Sequence, residues 1–190
     1  MTLKLGIVGC GGMGFRHMQG ISEVMRHSNI AKLEAICDLH EEAANHVADE
    51  AEKNNGYRPK IYTDFDSMIS ESGIDILDIV TDTKTHHAFA IKAMNKGISV
   101  LTEKPMGITL KACRKMKDVQ EKNNVKLAVA ENYRRDPMNR LVKALIDEGA
   151  IGDLQMVIDV SVSGGGYLMH GTGWRAKKSL AGSLILEQGV

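Results

Sequence analysis

The chain has 190 residues, enough for one full domain and part of a second at about 150 residues per domain. Its 24 Lys and Arg balance 24 Asp and Glu with no local basic cluster, so no long-range field draws a phosphodiester backbone or an anionic lipid surface, and nucleic acid is not an expected partner. The first residues enter a strand directly, nowhere do about 18 apolar residues run together, and the cysteines Cys10, Cys37 and Cys113 are isolated and odd in number; membrane insertion, secretion, a disulfide framework and a zinc site are unsupported, and a reducing, cytoplasmic setting is expected.

Leu3 to Val8 reads as a strand that feeds Gly9-Cys10-Gly11-Gly12-Met13-Gly14, a G-x-G-x-x-G loop followed by a helical pattern to about Arg26. The three motif glycines do different things. Gly9 turns the chain out of the strand, Gly11 admits a pyrophosphate against the backbone, and Gly14 lets the helix pack on the sheet. The phosphates would meet free N–H groups from the loop and from Gly12 and Met13, at a helix end whose dipole favours negative charge. No side-chain cation is needed.

Leu33 to Cys37 is the next strand, ending in Asp38, 24 residues beyond Gly14. A carboxylate there accepts both ribose hydroxyls of a dinucleotide, or else caps the helix expected over residues 40 to 54. Leu39-His40-Glu41-Glu42 supplies no Lys or Arg to meet a 2′-phosphate, which favours NAD over NADP. A short strand at Ile61-Tyr62 and a helix over Phe65 to Ser70 precede the apolar run Ile74 to Val80. The helix after it carries Phe89, Ala90, Ala93 and Met94 on one face and stops at Gly97, and Ile98 to Leu101 is another strand. Thr109 caps a helix to about Asn123, and Lys126 to Ala130 adds one more strand. This alternation predicts an α/β fold, a doubly wound parallel sheet covered on both faces.

Asp136-Pro137 opens a helix whose apolar stripe is Met138, Leu141, Val142, Leu145 and Ile146. Asp153 to Val162 alternates like a strand with one wet face, and Ser163 to Gly166 is a flexible break. The domain change is placed near Glu131, giving a dinucleotide-binding domain over 1–131 and the start of a second domain over 132–190.

Thr102-Glu103-Lys104-Pro105 follows a strand at the edge where open α/β sheets bind ligands. Oxidising an alcohol by hydride transfer also requires its proton to leave, and a partly desolvated lysine can accept that proton or polarise the oxygen. Together with the glycine loop and Glu131-Asn132-Tyr133-Arg134-Arg135-Asp136-Pro137, this turn resembles the glucose-fructose oxidoreductase, inositol dehydrogenase and MocA-like (Gfo/Idh/MocA) family along the whole chain.

The resemblance implies a Rossmann domain holding NAD or NADP, followed by a C-terminal α/β domain with a mostly antiparallel sheet that shapes the substrate site and commonly a homo-oligomer interface. Lys104 would be the catalytic or substrate-orienting amine, Glu103 would support the nicotinamide end, and Pro105 would follow a cis peptide. Asn132 would lie near the cofactor, while Tyr133 and Arg134 either contact substrate or pack between domains. Thr81 and His86 match the family's loop, although Asp82 stands where a neutral residue is usual. His86 either contacts cofactor or packs. Trp174, Arg175 and Glu187 match a further substrate segment, with Trp174 and Arg175 either meeting a polyhydroxylated ligand or packing a surface loop. The sequence stops one residue before that segment's histidine, so the resemblance also implies a fragment that binds cofactor with little turnover. The implied activity is hydride transfer between a secondary hydroxyl of a sugar, sugar acid or polyol and NAD. A non-catalytic dinucleotide sensor and an NAD-dependent glycoside-cleaving enzyme remain alternatives.

Overall fold

A strand flanked by helices on both faces is chiefly apolar where it is buried, and the short runs of this chain largely follow that rule, Asp78 in the fourth being an exception. In a computed structural model of the protein, which describes residues 2–158 and 160, they form β1 (Leu3–Val8), β2 (Ala31–Cys37), β3 (Lys60–Tyr62), β4 (Ile76–Ile79), β5 (Ser99–Thr102) and β6 (Leu127–Val129). Between and after them lie α1 (Gly12–His27), α2 (Glu41–Asn55), α3 (Phe65–Glu71), α4 (Thr83–Met94), α5 (Leu110–Asn123) and α6 (Pro137–Asp147). All pairings are parallel, in the order β3-β2-β1-β4-β5-β6. This is the doubly wound order, whose reversal between β1 and β4 opens a crevice at the strands' C-terminal ends.

The two faces of the sheet carry separate cores. Ile7, Leu33 and Ile36 pack with Met18 of α1 and Val47 of α2 on one side. On the other, Leu77, Ile79 and Val100 pack with Met68, Met94 and Met116 from α3, α4 and α5. Successive residues of β1, Ile7 and Val8, enter opposite cores, as the two-residue period of a strand requires.

Helix starts follow the expected chemistry. Thr109 accepts the Ala112 N–H at 3.2 Å, and Asp136 accepts the N–H groups of Met138 and Asn139 with Pro137 in the first position. Each cap satisfies a backbone donor that has no partner inside its helix. Asn132–Arg135, which carried no periodic signal, forms one 3₁₀ turn. The stripe of α6 is amphipathic as expected, with Met138, Leu141, Val142 and Leu145 exposed among the described residues.

One expected strand is not seen among the described residues. Asp153 to Val162 alternates like a strand, yet residues 153–158 and 160 belong to no ladder, and the described residues contain no second, antiparallel sheet. Alternation marks which side chains share a face, but only a neighbouring backbone makes the segment a strand, and none pairs with it among the described residues.

Candidate functional site

The C-terminal ends of β1, β2, β4 and β5 bring four separated segments to one edge. After β1, Gly9 adopts φ +99°, and a Cβ there would stand 2.6 Å from the Val80 carbonyl oxygen, so the turn lies against the end of β4. A Cβ on Gly14 would fall 1.9 Å from the Gly9 carbonyl oxygen, and the first turn of α1 packs on the loop itself. Gly11 and Gly12 differ: nothing lies within 4 Å of a Cβ on either. Gly11 occupies the cap position of α1 with no side-chain cap, and no acidic residue occupies the first turn. The helix therefore presents N–H groups and its positive end to open space, which suits a diphosphate.

Asp38 is fixed beside that loop. One carboxylate oxygen accepts the Cys10 N–H at 2.7 Å and the other the His40 N–H at 2.9 Å. His40, with no side-chain bond, holds the cap position of α2, so Asp38 joins β2 to the glycine loop instead of capping that helix. Each oxygen retains a lone pair for a further donor. Cys10 and Cys37 lie buried behind the loop. Burial, reinforced by the Asp38 charge, pushes the Cys37 thiol up to about 11 and raises Cys10 as well, which leaves both as protonated, unreactive packing groups.

After β4, the Thr81 and Thr85 hydroxyls are 2.7 Å apart, and Thr85 also lies 2.8 Å from the Asp82 carboxylate. His86 is buried, with Nδ1 3.0 Å from the Pro105 carbonyl oxygen and Nε2 3.0 Å from that of Thr81. Its ring lies between the end of β4 and the turn after β5, within hydrogen-bond distance of a carbonyl oxygen on each side. In that turn Lys104-Pro105 is cis. The Glu103 N–H bonds to the Ile79 carbonyl, and the Glu103 carboxylate accepts the Lys104 N–H at 2.9 Å. Asn132, Tyr133 and Arg134 follow β6 on the 3₁₀ turn. Tyr133 and Arg134 line an open groove against α6 with Asn139, Arg140 and Lys143. Trp174, Arg175 and Glu187 lie outside the described residues.

One further site residue, and the partner that fixes it, escaped the sequence reading. His17, on the second turn of α1, places Nδ1 2.8 Å from Asp78 and Nε2 3.1 Å from Glu103. Burial disfavours its charge, but the hydrogen bonds and charges of Asp78 and Glu103 prevail and raise the imidazole to about 10. Burial likewise opposes the Glu103 charge, while His17 and then Lys104 hold that carboxyl below its usual range. The available signal was Asp78 itself, a carboxylate inside a strand that a doubly wound sheet buries on both faces.

An oxidoreductase family with an NAD-binding Rossmann fold matches residues 3–131. The chain belongs to this family, Gfo/Idh/MocA. It is 31% identical over 189 residues to levoglucosan dehydrogenase of Pseudarthrobacter phenanthrenivorans, covering 96% of this chain and 47% of that protein. Inositol 2-dehydrogenase 2 of Saccharopolyspora erythraea is 28% identical over 166 residues, covering 87% and 47%. Scyllo-inositol dehydrogenase from Lactobacillus casei, solved with NAD(H) and scyllo-inositol, superposes with a TM-score of 0.72 at 30% identity over 80% of this chain and 43% of that one. The chain thus spans about half the length of the curated relatives it matches. The family comprises NAD(P)-dependent oxidoreductases, and the described residues are chiefly its Rossmann half. No helix among the described residues is long and apolar enough to cross a membrane.

The two kinds of glycine separate experimentally. Gly11→Ala, entering open space at an extended cap position, leaves the melting temperature within about 2 °C and weakens NAD binding at least about tenfold by calorimetry, whereas Gly14→Ala collides with backbone and lowers the melting temperature by more than about 5 °C. The His17 charge gives a second outcome. A histidine raised from 6.5 to about 10 stabilises the fold fully below 6.5 and loses that contribution as pH climbs through 10. Urea titrations between about pH 7 and 8, below the range in which unfolded thiols ionise, therefore show unfolding free energy falling by up to about 1.4 kcal/mol per pH unit, a slope that His17→Gln largely removes.

Proposed function

We propose that the protein is an NAD-dependent dehydrogenase acting on a secondary hydroxyl of a sugar, sugar acid or polyol. The observation that carries this reading is the meeting, on one sheet edge, of an uncapped helix end over open glycines, a pinned carboxylate at Asp38 and the Glu103-Lys104-Pro105 turn. The names of the related inositol and levoglucosan dehydrogenases support the substrate class.

NAD fits the residues present. The loop from Gly9 through Gly12, Met13 and Gly14 would hold the diphosphate by N–H groups and helix dipole. Asp38 would take the ribose hydroxyls on its remaining lone pairs, with Thr81 and Asn132 flanking the cofactor along the edge. Glu41 and Glu42, in the first turn of α2, would repel a 2′-phosphate, and this favours NAD over NADP. His86 contributes by fixing the loop that Thr81 belongs to.

When bound, NAD supplies the hydride acceptor. Lys104 takes the hydroxyl proton or polarises the oxygen as the hydride leaves carbon. Tyr133 and Arg134 orient the substrate's other hydroxyls or carboxylate, the planar guanidinium giving two parallel donors.

Two measurements test this reading. Calorimetric titration gives tighter binding of NAD than of NADP; the reverse order rejects the Asp38 assignment. Screening the full-length gene product against sugars and polyols with NAD, following reduced nicotinamide by absorbance, finds a substrate whose turnover Lys104→Ala lowers on the order of 10²- to 10⁴-fold. Unchanged turnover in that variant overturns the role of Lys104.

A further inference from the structure

Helix α1 and the turn after β5 are joined by a buried charge cluster that dinucleotide binding by itself does not call for. His17 faces a carboxylate on each ring nitrogen, Asp78 at 2.8 Å and Glu103 at 3.1 Å, and the Asp78 side chain is only 2% exposed. Only the doubly protonated ring donates to both. Asp78 stands mid-sheet between Ile7 of β1 and Leu101 of β5, and its second oxygen has no hydrogen-bond partner among the described residues. A lone carboxylate there carries a heavy desolvation cost, which an imidazolium against it offsets.

The cluster reaches the active edge through Glu103. One oxygen of that carboxylate is held by His17, the other by the N–H of Lys104. Helix α1 therefore carries two functions one turn apart: its first turn faces the diphosphate site, and its second fixes the backbone from which Lys104 projects.

We propose that His17 is a positioning residue for hydride transfer, one that holds Glu103 against α1 so that Lys104 and the bound dinucleotide are set by the same rigid helix. This rests on the reading of Lys104 given above. Asp78 acts through His17 by keeping the ring charged and oriented. Misplacing a reacting group by about 1 Å costs on the order of 10²-fold in rate, so loosening the Glu103 carboxylate acts on turnover more than on cofactor affinity. A merely structural ion pair would behave differently. Its loss would lower stability while leaving the rate per folded molecule and its pH profile alone.

The experiment compares the parent with His17→Gln, His17→Lys and Lys104→Ala, using NAD and the polyol identified by the screen, with rates expressed per NAD-binding site. His17→Gln is expected to bind NAD within about threefold of the parent and to lose on the order of 10²-fold in kcat, with KM changed far less; His17→Lys, returning a cation between the two carboxylates, recovers at least about tenfold. A kcat within about threefold of the parent, or a loss of NAD affinity matching the loss of rate, overturns the proposal. Lys104→Ala separates the two readings: unchanged turnover there removes the Lys104 assignment, whereas a loss there without one in His17→Gln removes only the role of His17. Should His17→Gln not fold, Glu103→Gln is read in its place, since it keeps an acceptor for the Lys104 N–H and weakens the hold of His17: a loss confined to kcat supports the proposal, and a kcat within about threefold of the parent overturns it.

Discussion

The contact between Gly14 and Gly9 governs the rest of this structure. With 1.9 Å between a hypothetical Cβ on one and the carbonyl oxygen of the other, no residue larger than glycine fits where α1 leaves the loop. That closeness aims the helix end across the C-terminal ends of the strands and leaves the neighbouring Gly11 and Gly12 facing open space. A helix half a side chain further out would point its dipole elsewhere and carry His17 away from Glu103.

Charge is distributed around this contact in two distinct ways. At Asp38 the carboxylate is held by backbone N–H groups, which fixes its direction without neutralising it and leaves it able to receive further donors. At Asp78 the carboxylate lies deep in the sheet and is faced at 2.8 Å by the His17 ring, the group placed to carry its counter-charge. The first arrangement suits recognition of a neutral polyhydroxyl group such as a ribose. The second suits rigidity, because a buried pair with defined geometry resists displacement more than a solvated one.

Much of the Rossmann half was legible because its signals are local. The strand Leu3–Val8, the caps Thr109 and Asp136, and the spacing of Gly9, Gly11 and Gly14 each involve residues within one or two turns of each other, where steric and hydrogen-bonding preferences act directly. The segment from Asp153 misleads for the same reason. Its alternation is real, but strand formation depends on a partner that a local pattern does not specify. The 3₁₀ turn at Asn132–Arg135 is too short to carry a period at all.

By itself the sequence determined a doubly wound parallel sheet, a glycine-lined helix end after β1 and a carboxylate at the end of β2, since glycine geometry, apolar periodicity and capping follow from neighbouring residues. Only the tertiary structure decided that Asp38 bridges to Cys10, that His86 lies between Thr81 and Pro105, and that His17 stands between Asp78 and Glu103. Cys10 and Asp38 are 28 residues apart, His86 and Pro105 19, and His17 is 61 and 86 residues from its two carboxylates. Chain folding alone sets such distances, and a buried charge finds its counter-ion by proximity in space, for which order along the chain holds no record.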